Sequence, residues 1–241
     1  MRTIKYPAVL LIFVFLSGCM FPQSERAANN LPNDAQLAQV QSAVNQYKSQ
    51  QNGLLPIRTK PNETPVFQKY QIDFTRLKET GLLATIPGTA FENGGYYQYI
   101  IIRPETEAEV KVIDLRVTDK VRELETTLHF YEQENEFTPY KEQIVPGVYS
   151  LDHEKLGLDE PPTLESPYTG NLLPLYANGS GDVVIDYRKD LNHFLKETDH
   201  SYQPGDDIRY LLTDQSPIAP AYSPPYTIKD GDPVFMQKAS E

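Results

Sequence analysis

The sequence predicts an α+β protein made of two related units followed by an extended C-terminal arm. Three observations lead to this fold class. Apolar residues recur at helical spacing in two stretches, segments rich in β-branched and aromatic residues follow Asn-Gly turns, and the last part of the chain is rich in proline and tyrosine. We place the first unit at residues 35–117, the second at residues 118–215 and the arm at residues 216–241. Each unit is expected to begin with a long helix and to continue into an antiparallel hairpin or small sheet.

The first residues have the pattern of an export signal. Arg2 and Lys5 form a positive segment, and the nine apolar residues of Ala8–Leu16 follow. At a rise of about 1.5 Å per residue, nine residues do not span a bilayer core of about 30 Å. We therefore predict that residues 1–18 are a signal peptide rather than a transmembrane helix.

The tetrapeptide that follows, Leu-Ser-Gly-Cys at positions 16–19, resembles the bacterial lipobox. The resemblance implies that Cys19 is acylated on its sulfur and becomes the first residue after cleavage, which anchors the protein to the outer face of the cell membrane. Residues 19–34 are polar and turn-forming, as expected of a lipidated tether. Because Cys19 is the only cysteine, the exported part has no disulfide bonds. The alternative is that Cys19 is an incidental thiol in a cleaved leader.

The charge of the chain bears on its partners. The formal net charge is −11, and removal of Arg2 and Lys5 with the leader would make it −13. A surface this acidic repels nucleic acid and anionic lipid, so neither is an expected partner of the folded part.

The first unit is expected to open with a helix of about 17 residues. Its apolar residues recur at intervals of three and four, at Leu37, Val40, Val44 and Tyr47. Asp34 is placed to cap the N-terminus, and Asn52-Gly53 tolerate the left-handed backbone that ends a helix. Pro56 prevents the helix from continuing.

A β-hairpin is expected to complete this unit. The turn sequence ENGG precedes YYQYIII, which is rich in aromatic and β-branched residues. The segment VKVIDLRV at Val110–Val117 is expected to pair with it, and PETEAE forms the loop between them.

The second half repeats this order of features. A second helix is expected within Val121–Tyr140, and the strand DVVIDY follows the turn NGSG at Asn178–Gly181. Matching positions in the two halves are Tyr47 and Tyr131, Pro56 and Pro139, Asp73 and Asp152, Leu77 and Leu156, Gly94 and Gly170, and Tyr99 and Tyr176. The pattern indicates an internal repeat. Chance matching, in a chain with 16 Tyr and 20 Pro, is the alternative.

Two resemblances follow from these segments. The stretch from Gln36 to Ile102 is similar to the head regions of bacterial type II pseudopilins, through Ala43, Tyr47, Gly53, Pro56, Leu77, Pro87 and Tyr97 or Tyr99. A lipobox stands where those proteins have a long apolar helix, which argues against filament assembly through that helix. The chain also resembles the YphF-type lipoproteins of spore-forming Gram-positive bacteria, through the LSGCM leader and the segments VQSAVNQ, GLLPIRTK, QKYQIDF and PGTAFENGGYYQYIII. Some members are labelled as binding proteins of transporters, and such a label is an analogy that indicates no site.

Residues with catalytic or metal-binding chemistry form no recognisable motif, so we predict no catalytic, cofactor-binding or metal-binding residues and no cofactor. The four histidines, His129, His153, His193 and His200, lack the spacing of a zinc site. Ser180 lies in a predicted hairpin turn rather than a nucleophile elbow. Asp206-Asp207 and Asp230-Gly231-Asp232 lack calcium-loop spacing and are interpreted as turns.

The expected function is a non-catalytic binding or scaffold role in the cell envelope, with an envelope protein as the partner and no prediction for a small-molecule ligand. One alternative is a solute-binding or accessory lipoprotein of an ABC transporter. A less favoured one is a cell-wall hydrolase using a carboxylate pair such as Asp186 and Glu197. The C-terminal arm, with Tyr222, Tyr226 and Phe235, either packs on the protein's own core or extends a partner's surface.

Overall fold

A computed structural model of the chain describes residues 33–236 and has the predicted α+β class. The predicted signal peptide, the acylation site at Cys19, most of the tether and the last five residues lie outside the described residues. Among residues 33–236, no helix combines the length and the apolar character needed to cross a bilayer.

The first unit begins with the predicted helix. Helix α1 is Asp34–Gln50, followed by the short helices α2 (Val66–Lys69) and α3 (Phe74–Glu79) and a 3-10 turn at Phe91–Asn93. Asp34 is not the cap, because it already has helical conformation. Asn33 has the extended conformation of a cap instead, and its Oδ1 accepts from the backbone N–H of Gln36 at 3.1 Å.

A two-stranded antiparallel hairpin completes this unit, as predicted. Strands β1 (Tyr97–Ile102) and β2 (Glu109–Asp114) pair directly, with Gln98 opposite Ile113. One face of the hairpin, including Tyr97, Tyr99 and Val112, packs against α1 in the first core. The other face packs Ile100, Ile102 and Ile113 with side chains of α2 and of the C-terminal segment. Both faces are therefore covered, which explains why β1 is apolar almost throughout.

The second long helix begins earlier than the sequence predicted. Strand β2 ends at Asp114 rather than Val117, and helix α4 occupies Leu115–Asn135 rather than a segment within Val121–Tyr140. The Asp114 carboxylate caps α4 by accepting from the N–H of Arg116 at 2.9 Å, so the chain turns into a helix directly after the strand. Glu136, with a left-handed φ of 64°, ends α4.

Five strands form the sheet of this unit. They are β3 (Tyr140–Val145), β4 (Val148–Leu151), β5 (Thr163–Glu165), β6 (Leu172–Asn178) and β7 (Val183–Ile185). The order is β3-β4-β6-β5, with β7 also paired to β6, and all pairs are antiparallel. The predicted NGSG turn joins β6 to β7, where Asn178 Oδ1 accepts from the N–H groups of Ser180 and Asp182. The sheet packs on α4 in a second core.

Matching positions of the two halves have the same local backbone geometry. The N–H of Asp73 donates to the carbonyl of Pro56 at 2.8 Å, and the N–H of Asp152 donates to that of Pro139 at 2.8 Å. The neighbouring pairs Ile57–Ile72 and Tyr140–Leu151 are both antiparallel. The aligned residues therefore occupy corresponding places in the two units.

The C-terminal segment is not a free arm. Helices α5 (Arg188–Glu197) and α6 (Arg209–Gln215) precede it, and the backbone around Ile218 then pairs in parallel with β2 at Val112. Strands β8 (Tyr226–Lys229) and β9 (Asp232–Phe235) form a hairpin around the predicted turn at Asp230-Gly231. Tyr226 and Phe235 are buried in the second core. The alternative that this segment packs on the protein's own core is therefore the right one.

Three helices start in the same way, with an aspartate followed two residues later by an arginine. We call these the Asp-x-Arg clasps: Asp114 with Arg116, Asp186 with Arg188, and Asp207 with Arg209. In each, the arginine Nη2 lies 2.6 Å from a carboxylate oxygen of its aspartate, and the arginine backbone N–H bonds the same carboxylate. Each guanidinium also lies over an aromatic ring, which belongs to Tyr96, Phe235 and Phe67 respectively.

Candidate functional site

A cleft of about 490 Å³ lies where the first unit meets the start of α4, and its volume is in the usual range for ligand sites. We call it the inter-unit cleft. It is lined by Gln68, Gln71, Phe91, Gly95, Tyr96, Gln98, Ile113, Leu115, Thr118, Asp119, Arg122 and Tyr222. Two of these residues, Gln98 and Ile113, lie opposite each other near one end of the β1–β2 hairpin.

The helical wall of the cleft comes from one face of α4. Leu115, Thr118, Asp119 and Arg122 are spaced by three and four residues, which places them on the same side of the helix. The first Asp-x-Arg clasp fixes the start of this helix against the end of β2. The wall is thus set directly by the strand-to-helix junction at Asp114.

Two exposed aromatic rings also line the cleft. Phe91 is 61% exposed and Tyr96 is 51% exposed. Both belong to a tight loop in which the N–H of Gly95 donates to the carbonyl of Ala90 and the N–H of Tyr97 donates to that of Thr89. A Cβ at Gly95 would lie 2.1 Å from the Thr89 carbonyl carbon, so only glycine fits this close approach.

Tyr222 closes the cleft from the C-terminal segment. Its backbone has a φ of 59°, an uncommon conformation for a residue with a large side chain, and its carbonyl accepts from the N–H of Ile185 in β7 at 2.9 Å. Burial raises the pKa of its phenol, although a hydrogen bond with Thr118 opposes the rise. The ring therefore stays neutral at physiological pH and links the second unit to the cleft.

The charges around the cleft balance. Asp119 and Arg122 are the charged residues in the lining, and their side chains lie 3.9 Å apart and are mostly exposed. The remaining polar groups are uncharged: three glutamine carboxamides and the hydroxyls of Thr118, Tyr96 and Tyr222. The cleft thus differs from the strongly acidic protein as a whole.

The carboxamides of Gln68 and Gln71 are available to a ligand. Among the described residues, no hydrogen bond occupies either of them. Within residues 33–236, the contacts of the Gln98 carboxamide are long, 3.5 Å to Glu92 Oε1 and 3.4 Å to the Tyr99 carbonyl. Each carboxamide offers one acceptor oxygen and two N–H donors.

A second hollow of similar volume lies on the other side of the start of α4. Its lining includes Arg116, Lys120, Glu165 and the exposed Leu172. It lacks exposed aromatic rings, so we regard the inter-unit cleft as the candidate site.

The residues singled out in the sequence mostly lie elsewhere. His129 is exposed on α4 and contacts Gln133, and His200 lies beyond the end of α5, so His193 and His200 do not share a helical face. Within residues 33–236, no group of three His, Cys, Asp or Glu side chains is arranged to hold a metal ion.

Two of the predicted carboxylate positions are parts of the Asp-x-Arg clasps. The Asp186 carboxylate is bound by Arg188 at 2.6 Å, and the Asp207 carboxylate is bound by Arg209 at the same distance. Asp206 Oδ2 accepts from the N–H of Gln203, within a turn as interpreted from the sequence.

Sequence reasoning missed most of the cleft and all of the clasps. Among the arm's aromatic residues, only Tyr222 lines the cleft. The clasps could have been predicted from the sequence. The tripeptides DLR, DYR and DIR each follow an extended or turn segment and precede a helical pattern. The cleft had none, because its residues come from four separate parts of the chain.

The comparisons with known proteins concern the first unit. Residues 33–114 match the model of the YphF family N-terminal domain, which is about a third of the chain. The match ends at Asp114, the last residue of β2. The chain is thus similar to YphF-type proteins over the α1-to-β2 unit. No curated protein and no solved structure gave a match.

Proposed function

We propose that this protein is a lipid-anchored, extracytoplasmic binding protein of the cell envelope and that it acts without catalysis. The observation that carries the proposal is the inter-unit cleft, with two exposed rings and several uncharged polar groups around a volume of about 490 Å³. Exposed aromatic groups beside convergent polar side chains are typical of recognition sites.

The proposed anchor is a diacylglyceryl group on Cys19, and it rests on the lipobox resemblance of residues 16–19. We expect labelled palmitate to be incorporated into the full chain and the protein to fractionate with membranes. The Cys19→Ser variant should lose both properties. Palmitate labelling that persists in Cys19→Ser would contradict the anchor.

The proposed partner is a component of the envelope, most simply a protein. The test is crosslinking on intact cells followed by identification of the captured components. Three forms of the anchored protein are compared: the parent, the double variant Phe91→Ala/Tyr96→Ala and the matched control Phe130→Ala. Phe130 is 62% exposed on α4 and lies outside the cleft lining, so it has the same residue type and a similar exposure.

The proposal expects a partner that the parent and Phe130→Ala capture and that the double variant loses. Equal capture by all three forms would show that the cleft is not the binding site. A solute-binding accessory of an ABC transporter is a second candidate, favoured by the volume of the cleft. It predicts a raised midpoint of thermal unfolding with a small metabolite, since a ligand that binds only the folded state stabilises it. The resemblance to pseudopilin head regions stays a prediction.

A further inference from the structure

The two rings of the inter-unit cleft offer flat apolar faces next to polar groups. Phe91 and Tyr96 are more than half exposed, and both lie on the tight loop that Gly95 closes. The guanidinium of Arg116 lies over one side of the Tyr96 ring, 5.8 Å from its centroid. Aromatic faces carry partial negative charge and attract the weakly positive C–H groups of a ligand.

The polar groups around these rings match amide and hydroxyl groups. Gln68, Gln71 and Gln98 each present both a donor and an acceptor, so each can pair with an amide that also has both. Lysine is absent from the lining, and Asp119 and Arg122 are one acid and one base, so the lining carries no net charge. A ligand with a net charge would therefore meet no net opposite charge in the cleft, and its desolvation would be costly.

A ligand that satisfies both sets of groups has C–H faces, hydroxyl groups and acetamido groups, and it carries no net charge. We propose that the inter-unit cleft binds a chain of N-acetylhexosamine sugars. The sugar faces stack on Phe91 and Tyr96, and the acetamido groups exchange hydrogen bonds with the glutamine carboxamides. This inference rests on the proposed binding role of the cleft, and it names a sugar chain as the occupant of the cleft instead of an envelope protein.

The probe is the tetramer of N-acetylglucosamine, titrated calorimetrically into the full chain. The protein is purified in a detergent without a sugar headgroup, so that the detergent does not compete for the cleft. We expect saturable binding, and we expect the corresponding tetramer of glucose, which lacks the acetamido groups, to bind at least tenfold more weakly.

Three variants test which groups are responsible. Phe91→Ala and Tyr96→Ala should each weaken the binding of the tetramer at least tenfold. Gln71→Glu should also weaken it, since a carboxylate keeps the size of the side chain but loses the N–H donors. Phe130→Ala should bind like the parent. Urea unfolding midpoints equal to that of the parent would show that the variants fold normally.

The inference is overturned if the tetramer gives no binding at millimolar concentration, or if binding is the same in Phe91→Ala and Tyr96→Ala as in the parent. Equal affinity for the glucose tetramer would also overturn it. If sugar binding fails but crosslinking captures a partner with the parent and not with Phe91→Ala/Tyr96→Ala, the proposed function stands and only this inference is overturned. If sugar binding is observed but crosslinking captures no protein, the protein partner is contradicted instead.

Discussion

Replacement of Asp190 by asparagine tests whether the stability of the fold depends on both acceptor oxygens of the Asp190 carboxylate. Asp190 lies in the first turn of α5 and is fully buried. Its Oδ2 accepts from Ser166 Oγ at 2.7 Å, and its Oδ1 accepts from Thr169 Oγ1 at 2.5 Å. It therefore ties α5 to the loop between β5 and β6.

Both hydroxyls are committed as donors to Asp190. Ser166 Oγ accepts from the N–H groups of Tyr168 and Thr169, which uses both of its lone pairs. Thr169 Oγ1 accepts from the backbone N–H and from the Nδ2 of Asn171. An asparagine at position 190 would have only one acceptor, and its NH₂ group would face a hydroxyl that cannot accept.

The expected loss of unfolding free energy follows from this count. A hydrogen bond to a charged group contributes about 1.5–3 kcal/mol, and a buried donor left unpaired costs about 1–3 kcal/mol. We expect Asp190→Asn to lower the free energy of unfolding by about 3 kcal/mol. Thr169→Val, which removes one donor, should lower it by about 2 kcal/mol.

The double variant provides the decisive measurement, by urea unfolding at neutral pH. In Asp190→Asn/Thr169→Val, the amide oxygen at position 190 accepts from Ser166 Oγ, and the NH₂ group no longer faces the hydroxyl of Thr169. The total loss should therefore be clearly smaller than the sum of the two single losses. Asp199→Asn, in the exposed loop after α5, is the control and should change stability little. An Asp190→Asn protein as stable as the parent, or fully additive losses, would refute the reasoning.

Three further predictions concern a close approach, a clasp and the buried tyrosines. Gly95→Ala should lower the free energy of unfolding by about 1–3 kcal/mol, because the added Cβ meets the Thr89 backbone. The control Gly179→Ala has open space around the added Cβ and should lower it little. Equal unfolding midpoints for the two variants would contradict this prediction. Arg209→Lys should lower the midpoint of thermal unfolding by several degrees. A lysine ammonium cannot form the bidentate hydrogen bonds to Asp207 and also reach the Ser223 carbonyl. An unchanged midpoint would contradict this prediction. Burial raises the pKa of Tyr97 to about 12 and raises the pKa of Tyr226 well above its ordinary value. Because the folded state favours the neutral phenols, they stabilise the fold fully at pH values below about 10, the pKa of tyrosine in the unfolded chain. This stabilisation is lost as the pH rises through the higher pKa values of the folded state. Absorbance at 295 nm should therefore show tyrosines that ionise only as the fold is lost, and titration of every tyrosine near pH 10 in folded protein would contradict the assignment.

The sequence predicted elements whose signals are local. Helix α1 has regular apolar spacing and marked ends, and the hairpin β1–β2 and the NGSG turn follow turn residues between β-rich segments. The predicted ends were less accurate. Leu115 and Val117 continue the alternation of apolar and polar residues in β2, which predicted a longer strand. Instead, the Asp114 carboxylate caps a helix and binds the Arg116 side chain, so the helix starts at that point.

The inter-unit cleft and the course of the C-terminal segment depend on contacts between distant residues. Prolines around Ile218 indicated an extended chain but not its pairing with Val112, more than a hundred residues earlier. In the same way, nothing near Tyr222 in the sequence indicates that its ring meets Thr118. The function and the membrane anchor stay predictions that the experiments above test, and the domain boundaries also stay predictions.

The late position of the segment from Ile218 to Phe235 affects when the protein can fold. Ile218 belongs to the first core, and Tyr226 and Phe235 belong to the second. A chain emerging from its N-terminus therefore lacks part of both cores until residues 218–235 have appeared. We expect neither core to be complete before this segment docks, so the last step of folding joins residues that are far apart in the sequence.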